Sequence, residues 1–330
     1  MLYICTAKTI ERNNLIHITK VKKIKKQENQ LFTMKRLILA LLLVLPLTAS
    51  AYDAVVNGIF YNLNKDNNTA SVTYRPAGHS YSGVITIPST FVFNGVERTV
   101  TSVDKNAFRD CYELSEIILP NSIVSIGNNA FSGCSGLHGN IDLSNLSLET
   151  IGDAVFKDCE NATSIELPNT VTSIGDSAFY NCVSLTSQPL PDGVTKIGAY
   201  AFNNCHNLQA LSVPSNVERL EAGMFNGCDN MQSITLHEGL TAIGDEAFVG
   251  CPELSSIIIP STVKTIGYRA FYKNRELTKI IIPESVMQIY DEAFSGCSKL
   301  MEVEISRSTR VGAKVFHDCP FQNSKNIEKL

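Results

Sequence analysis

Apolar residues return along this chain at a fixed interval. A nine-residue segment ending in Ala-Phe-x-x-Cys, or a close variant, occurs ten times: VDKNAFRDC (103–111), IGNNAFSGC (126–134), IGDAVFKDC (151–159), IGDSAFYNC (174–182), IGAYAFNNC (197–205), LEAGMFNGC (220–228), IGDEAFVGC (243–251), IGYRAFYKN (266–274), IYDEAFSGC (289–297) and VGAKVFHDC (311–319). Most copies are 23 residues apart; the steps from Cys134 to Cys159 and from Cys297 to Cys319 are 25 and 22 residues. So short a unit cannot bury its own apolar face, so the period predicts a solenoid of stacked coils.

The residues between the copies predict the strands. The unit is L-x-x-I-x-[IL]-P-x-x-V-x-x-I-G-x-x-A-F-x-x-C-x-x, as in LSSIIIPSTVKTIG (254–267). Its alternating part predicts a first strand, forming the main sheet and ended by Pro, which cannot donate to a ladder. V-x-x-I predicts a second extended piece, which turns at Gly into a short helical turn carrying Ala-Phe.

Two features of that turn have structural interpretations. Asp just after the Gly or its substitute suits the N-cap of the turn, in Asp153, Asp176, Asp245 and Asp291. Calcium binding is the weaker alternative, because no D-x-D-x-D-G run is present. Gly is replaced by Asp104, Glu221 and Tyr290, which favours a tight turn over an obligatory positive φ.

Composition limits the classes of partner. The chain has 330 residues, 44% hydrophobic and 18% charged, which is typical of a globular protein. Residues 1–51 hold nine Lys/Arg and two Asp/Glu, which leaves 19 basic and 30 acidic residues from 52 onward. The main body therefore carries a charge near −11, which argues against nucleic acid or an anionic membrane surface as a partner.

The N-terminal region predicts secretion. From Met34 the chain reads MKRLILALLLVLPLTASAYD, with a basic start, a short apolar run and small residues before a cleavage point after Ala51. We expect a signal peptide at 34–51 and no membrane insertion after its removal. Residues 1–33 are an upstream segment outside the native protein by this hypothesis; a Lys-rich cytoplasmic stub before a membrane anchor is the alternative. N-terminal sequencing of the unprocessed precursor would decide between these two interpretations. An N-terminus at Met1 would contradict the hypothesis that Met34 is the true start.

The repeat resembles that of the BspA-like, or Treponema-type, leucine-rich repeat family. This resemblance implies a β-rich leucine-rich-repeat solenoid of parallel strands with short helical turns, covering ten repeats of about 23 residues at 101–319. GIFYNLNKDNNTASVTYRP and the residues after it resemble the family's β-rich N-terminal cap, here 52–100, and a polar tail follows at 320–330. Gln188-Pro189 and the 25-residue step depart from the pattern. Members are bacterial secreted or surface proteins, and some are adhesins for host matrix proteins or other bacteria.

Cysteine and phenylalanine each form a column in the repeat. The Cys column is Cys111, Cys134, Cys159, Cys182, Cys205, Cys228, Cys251, Cys297 and Cys319, with Asn274 in one place and Cys5 far upstream. Its odd number and parallel stacking favour packed thiols over disulfides, and the lack of C-x-x-C disfavours metal or redox chemistry. Disulfides and metal or redox chemistry remain as alternatives. Counting the free thiols of the denatured protein would distinguish them from packed thiols. The Phe column, expected to be the spine of the core, is Phe108, Phe131, Phe156, Phe179, Phe202, Phe225, Phe248, Phe271, Phe294 and Phe316.

The motifs of the sequence favour a binding function over catalysis. No H-E-x-x-H, G-x-S-x-G or phosphate-binding glycine motif occurs, so we expect no enzyme, metal or cofactor. The outward positions of the first strand form a surface of mostly small or polar residues, in which Ile258 and Ile281 make an apolar patch near Lys279. These three are the candidate ligand-binding residues on a concave face; β-propensity alone is the competing explanation.

Three functions remain after this search. The first is protein binding or adhesion by a secreted, cell-surface or periplasmic protein, with a host matrix or bacterial surface protein as partner. The second is a glycan-binding or nutrient-capture accessory; the chain has no Trp for such a role, but outward tyrosines support it, at Tyr180, Tyr200, Tyr268, Tyr272 and Tyr290. The third is a structural role in the cell envelope.

Overall fold

The computed structural model describes residues 52–76 and 80–320, and these residues form β-strands joined by turns, with no helix among them. The N-terminal strands are β1 (Ala54–Val56), β2 (Ile59–Asn64), β3 (Thr69–Val72), β4 (Gly83–Thr86), β5 (Thr90–Phe93) and β6 (Val96–Val103). The strands of the repeats are β7 (Leu114–Ile118), β8 (Ser125–Ile126), β9 (Gly139–Asp142), β10 (Thr150–Ile151), β11 (Ala162–Glu166), β12 (Ser173–Ile174), β13 (Lys196–Ile197), β14 (Ala210–Ser212), β15 (Arg219–Leu220), β16 (Ser233–Thr235), β17 (Ala242–Ile243), β18 (Thr265–Ile266), β19 (Lys279–Ile281), β20 (Gln288–Ile289), β21 (Glu302–Glu304) and β22 (Arg310–Val311). The signal segment, the upstream segment, Cys5, His79 and residues 321–330 lie outside the described residues.

The N-terminal part is a twisted sheet that leads into the solenoid. Its order is β1-β2-β3-β6-β5, and β8 of the first repeat extends it by pairing in parallel with β6. Asn57-Gly58 and Asn94-Gly95 connect its hairpins β1–β2 and β5–β6, all four with positive φ, as tight hairpin turns require. The ring of Tyr81 lies 4.7 Å from that of Phe108, so the aromatic core of the sheet continues into the repeats.

Most repeats contribute two short parallel strands, and the two ladders differ. The first strands pair two at a time, as β4-β7, β9-β11, β14-β16 and β19-β21, and one isolated bridge joins Ser187 to Ala210 of β14. The second strands form longer sheets, β10-β12-β13 and β15-β17-β18-β20-β22. The solenoid prediction is confirmed, but the expectation that the first strand forms the main sheet is wrong. The V-x-x-I segment carries the longer sheets instead.

The predicted short helical turn is replaced by stacked β-turns. In the repeat at 174–182, Tyr180 N–H donates to Ser177 C=O within the turn (3.1 Å), whereas Phe179 N–H donates to Ala201 C=O of the next coil (2.9 Å). Ser177 and Asn181 have φ of 56° and 58°. A helix needs right-handed φ throughout, so two left-handed residues per turn end it and redirect alternate N–H groups to the neighbouring coil. We call the segments from the Gly column to the Cys column the turn side of the solenoid.

The Phe column lies at the centre of the turn side. The side chains from Phe108 to Phe294 are fully buried, and Phe316 is partly buried. Successive rings stack with centroids 5.0–6.1 Å apart and nearly parallel planes. Offset stacking at this spacing adds attraction to the burial of apolar area. One continuous aromatic stack therefore runs through the repeats.

The Asp and Gly columns link neighbouring coils. Asp176 Oδ1 accepts a hydrogen bond from Ala199 N–H of the next coil (2.9 Å), so the carboxylate caps its neighbour's turn rather than its own. Asp153, Asp245 and Asp291 make the equivalent bond. Gly175 has no positive φ, as expected; a Cβ there would lie 2.7 Å from Asp153 N and 2.5 Å from its Oδ1. At Gly175 the close approach of the neighbouring coil leaves no room for a side chain.

Candidate binding site

The predicted ligand-binding residues lie on one face, which we call the first-strand face: the outward side chains of the first strands and of the equivalent residues 187–189 and 256–258. Ile258 is 86% exposed, and Ile281, at the equivalent position of the next coil, is 51% exposed. Ile257 and Ile259 on either side of Ile258 are buried, so the alternation fixes the outward direction of Ile258. Residues 256–259 belong to no strand, although their side chains keep this pattern.

Lys279 is held in place by two carboxylates on the same face. Its Nζ lies 3.0 Å from Glu304 Oε1 and 3.1 Å from Glu302 Oε2. Lys279 donates hydrogen bonds to both carboxylates, and these bonds, that to Glu304 first, raise the pKa of Lys279. The parallel register places Ile281 beside Glu304. The predicted apolar spot therefore borders a fixed group of one positive and two negative charges.

The cysteine column lies on the turn side and points inward. Cys182 Sγ donates to Phe156 C=O of the preceding coil (3.2 Å), and the same bond recurs along the column. Burial raises the pKa of Cys205 to about 12 and that of Cys182 well above its ordinary value. Cys319, in the last described coil, is only partly buried, and hydrogen bonding from Cys297 lowers its pKa. The oxidation state of the column stays a prediction.

The outward tyrosines lie beside cations. Arg269 lies 4.9 Å from the ring centroids of both Tyr268 and Tyr272, and its guanidinium contacts Glu292 at 2.8 Å. Tyr290 is 49% exposed. Lys157 lies 5.0 Å from the ring of Tyr180, and Tyr200 is 40% exposed. The rings of Tyr180, Tyr268 and Tyr272 are therefore partly covered by cation–π contacts rather than presented as bare platforms.

A cleft at the first-strand face was not expected from the sequence. It separates β7 from β9, has a volume of about 260 Å³ and is lined by apolar side chains below and by polar ones at its mouth, among them Glu116, His138 and Asp142. The 25-residue step between Cys134 and Cys159 was the available signal. This longer repeat buries Leu146 in addition to Leu143 and Leu148, which stand at the regular apolar positions of the repeat.

The described residues offer little for catalysis. No group of three or more potential metal ligands occurs in 52–76 and 80–320. Ser212 Oγ lies 3.3 Å from His237 Nε2, a pair that sequence reasoning missed. It is exposed, and a nucleophilic serine would need a third group that orients the imidazole; Glu238, the next residue, instead accepts hydrogen bonds from Ser261. Within the same ranges no helix is long and apolar enough to cross a membrane.

The stacked coils define a leucine-rich-repeat solenoid. The chain belongs to the BspA type leucine rich repeat family, whose model matches residues 90–209 and 195–323. Among solved structures it is similar to a leucine-rich repeat protein of Bacteroides ovatus, with 23% identity and a TM-score of 0.52 over 82% of this chain and 93% of that one.

Two further structures share this fold. The T. pallidum leucine-rich repeat protein is 30% identical, with a TM-score of 0.53 over 61% of this chain and 90% of that one. The pneumococcal vaccine antigen PcpA is 19% identical, with a TM-score of 0.50 over 81% and 86% of the two chains. No curated protein matches the sequence.

Proposed function

We propose that this is a non-enzymatic protein-binding or adhesion protein, secreted by a bacterium or held at its surface, which uses the first-strand face around Ile258, Lys279 and Ile281. The observation that carries the proposal is the 86% exposure of Ile258 next to an ordered Lys–Glu cluster. Membership of a repeat family whose units stack into extended surfaces supports it.

The chemistry of the patch suits a protein partner. Burying the two isoleucine side chains would remove apolar area from water. Because both carboxylates hold Lys279 already, less side-chain entropy is lost when a partner covers the patch. Salt weakens such surface ion pairs, so the apolar part supplies the affinity and the charges supply orientation.

The test replaces both isoleucines. Ile258→Ser with Ile281→Ser is expected to lower binding to immobilised host matrix proteins or to other bacterial cells at least tenfold, as measured by surface plasmon resonance and cell capture. Met287→Ser with Val124→Ser is the matched control, because both residues are exposed apolar side chains outside the first-strand face. Unchanged binding of the Ile258/Ile281 variant to every partner would exclude this patch.

A glycan-binding or nutrient-capture role is the second candidate. The Tyr268–Arg269–Tyr272 group with the exposed Tyr290 is the observation that favours it. A glycan array would support this role if binding is lost in Tyr268→Ala with Tyr272→Ala and kept in the Ile258/Ile281 variant. Cell fractionation tests the third candidate, a structural envelope role, which predicts that the protein is found only in the insoluble envelope fraction.

The organisation of the chain is part of the proposal. We infer a signal peptide at 34–51, a cap at 52–100, repeats at 101–319 and a polar tail at 320–330, with 1–33 outside the native protein. The secreted protein should then begin at Tyr52, which N-terminal sequencing checks. An N-terminus upstream of Met34 would contradict it.

A further inference from the structure

The solenoid opens between its first two repeats. On the turn side the coils touch: Phe108 N–H donates to Ala130 C=O (2.8 Å), and the rings of Phe108 and Phe131 lie 5.1 Å apart. On the first-strand face, β7 pairs only with β4 and β9 only with β11. Nearly all Cα–Cα separations between β7 and β9 exceed 8 Å. The cleft is therefore a wedge that closes at the phenylalanine stack.

No strand pairing closes the wedge. The second strands of these repeats, β8 and β10, do not pair with each other either. The second repeat is two residues longer than the usual unit. It buries Leu146 in addition to Leu143 and Leu148, which stand at the regular apolar positions of the repeat. The wedge therefore lies where the repeat departs from its usual length.

Two strand edges face each other across the cleft. Ile87 N–H donates to Ile118 C=O, so the backbone groups of Ile118 point to β4, and those of Ile117 point the opposite way, to β9. Leu143 N–H donates to Glu166 C=O, so the groups of Asp142 point away from β11, to β7. His138 N–H to Ser115 C=O, at 3.4 Å, is a marginal link at one end.

The two strands are too far apart to pair with each other. Nearly all Cα pairs of β7 and β9 lie beyond 8 Å. Paired strands lie about 4.8 Å apart, so a segment inserted between the two would hold them about 9.6 Å apart. An extended segment in the cleft would pair with an open edge on each side, the mode by which many domains take up peptides.

The charges at the mouth select the sequence of such a segment. Glu116 and Asp142 line the cleft, and neither has an ion-pair partner among the described residues. Hydrogen bonds from Ser144 lower the pKa of Asp142, so this carboxylate is ionised at neutral pH. His138 is the one titratable group of opposite character in the lining. A Lys- or Arg-bearing segment complements this mouth.

We propose that the cleft between β7 and β9 binds an extended basic peptide segment of a partner protein, by strand pairing to both edges and by ion pairs to Glu116 and Asp142. The site is separate from the Ile258 patch, and it shares with the proposed function only the class of ligand. The variants below leave Ile258, Lys279 and Ile281 unchanged, so the two proposals can fail independently.

The first test measures binding of a fluorescent ten-residue peptide of alternating Lys and Thr to the full-length protein by anisotropy. Glu116→Gln with Asp142→Asn should weaken binding at least tenfold and reduce its salt dependence. Asp192→Asn with Glu253→Gln is the matched control, since it removes two exposed carboxylates outside the cleft and should change affinity less than twofold. Equal losses in the two variants, or no binding of the peptide, would overturn the proposal.

The second test separates strand pairing from charge attraction. A peptide of the same sequence with N-methyl groups on alternate residues should lose binding, because it cannot donate to one of the two open edges and its methyl groups obstruct the approach to that edge. Bound unmethylated peptide should slow amide exchange of Ile117, Asn140 and Asp142 at least tenfold. Equal binding of the methylated peptide or of an acidic Glu/Thr peptide, or unchanged exchange at these amides, would show that no strand is added in the cleft.

Discussion

The turn side and the first-strand face of the same solenoid are built from the same repeats, yet only the turn side links the coils in sequence. Each turn from Asn106 to Glu292 donates backbone hydrogen bonds to the next coil, and the aromatic stack crosses them all. The first strands pair only two by two. The turn side thus holds the coils together, and the first-strand face can vary without loss of the fold.

This difference follows from the contacts that the residues on each side make. On the turn side, Gly, Asp, Phe and Cys of one coil each contact the backbone or side chain of its neighbour, so a change in one repeat disturbs two. On the first-strand face the outward residues face solvent. Departures from the repeat, such as Ile258 and the insertion before Cys159, are tolerated there.

The largest expected effect is the loss of a ring from the stack. Phe202→Ala should lower the free energy of unfolding by about 3–5 kcal/mol, because it removes a fully buried ring between Phe179 and Phe225 and leaves a cavity. Leu211→Ala, at a buried position beneath the first-strand face, should cost less, at about 2–3 kcal/mol. Urea unfolding followed by circular dichroism gives both values.

Two controls accompany this prediction. Ile258→Ala should change stability by less than about 0.5 kcal/mol, because that side chain is exposed. Phe316→Ala, at the partly buried end of the stack, should cost less than Phe202→Ala. A larger loss from Leu211→Ala than from Phe202→Ala would reverse the roles assigned to the two sides.

Alanine substitution at two glycines should destabilise the protein by a smaller amount, for a different physical reason at each position. Gly175→Ala on the turn side should cost about 2–3 kcal/mol, because its Cβ would meet the backbone and carboxylate of Asp153. Gly139→Ala, at the start of β9, has open space around the added Cβ and should cost about 1 kcal/mol through its φ of +75° alone. Thermal unfolding of both variants measures the difference.

Asparagine at the same positions sharpens the comparison. Because Asn adopts left-handed φ more readily than Ala, Gly139→Asn should be more stable than Gly139→Ala. Gly175→Asn should be less stable than Gly175→Ala, since the larger side chain worsens the contact with Asp153. The same ranking at both positions would show that one mechanism governs both glycines.

The fold was predictable from the sequence because the residues that determine it recur at the same position of each repeat. The period, the strand segments and the family follow from residues that recur in phase, such as Phe179 and Cys182. The helical turn was predicted wrongly, although Asn181, Asn204, Gly227 and Gly250 fill a column suited to left-handed φ. The residues of this segment resemble the start of a helix, but hydrogen bonding to the next coil determines their conformation.

The surface features were less predictable. Exposure of Ile258 follows from alternation with its buried neighbours. The ion pairs that fix the side chain of Lys279 depend on Glu302 and Glu304, which lie one coil away. The insertion was visible as a 25-residue step, but the sequence did not show that β7 and β9 lie unpaired with a cleft between them. A repeat pattern reports what coils share, so it does not predict how far two particular coils separate.

The smallest expected effect on stability comes from modifying the end of the cysteine column. Iodoacetamide at pH 8 should react with Cys319 of the folded protein while Cys182 and Cys205 stay unmodified, as seen by mass spectrometry of tryptic peptides. The thiolate is the reacting species. The pKa of Cys319 is lowered, so its rate should rise with pH and level off at a lower pH than that of an ordinary thiol, whereas Cys205, with a pKa of about 12, stays protonated at pH 8.

Denatured protein is the control, because all accessible thiols should then react at similar rates. Cys319→Ser should abolish labelling of the cysteine column in the folded protein and leave the unfolding midpoint nearly unchanged, since this residue is only partly buried. Labelling of Cys182 as fast as that of Cys319 would mean that the turn side opens readily in solution. The interior coils would then be no better closed than the first-strand face, and the contrast between the two sides would be lost.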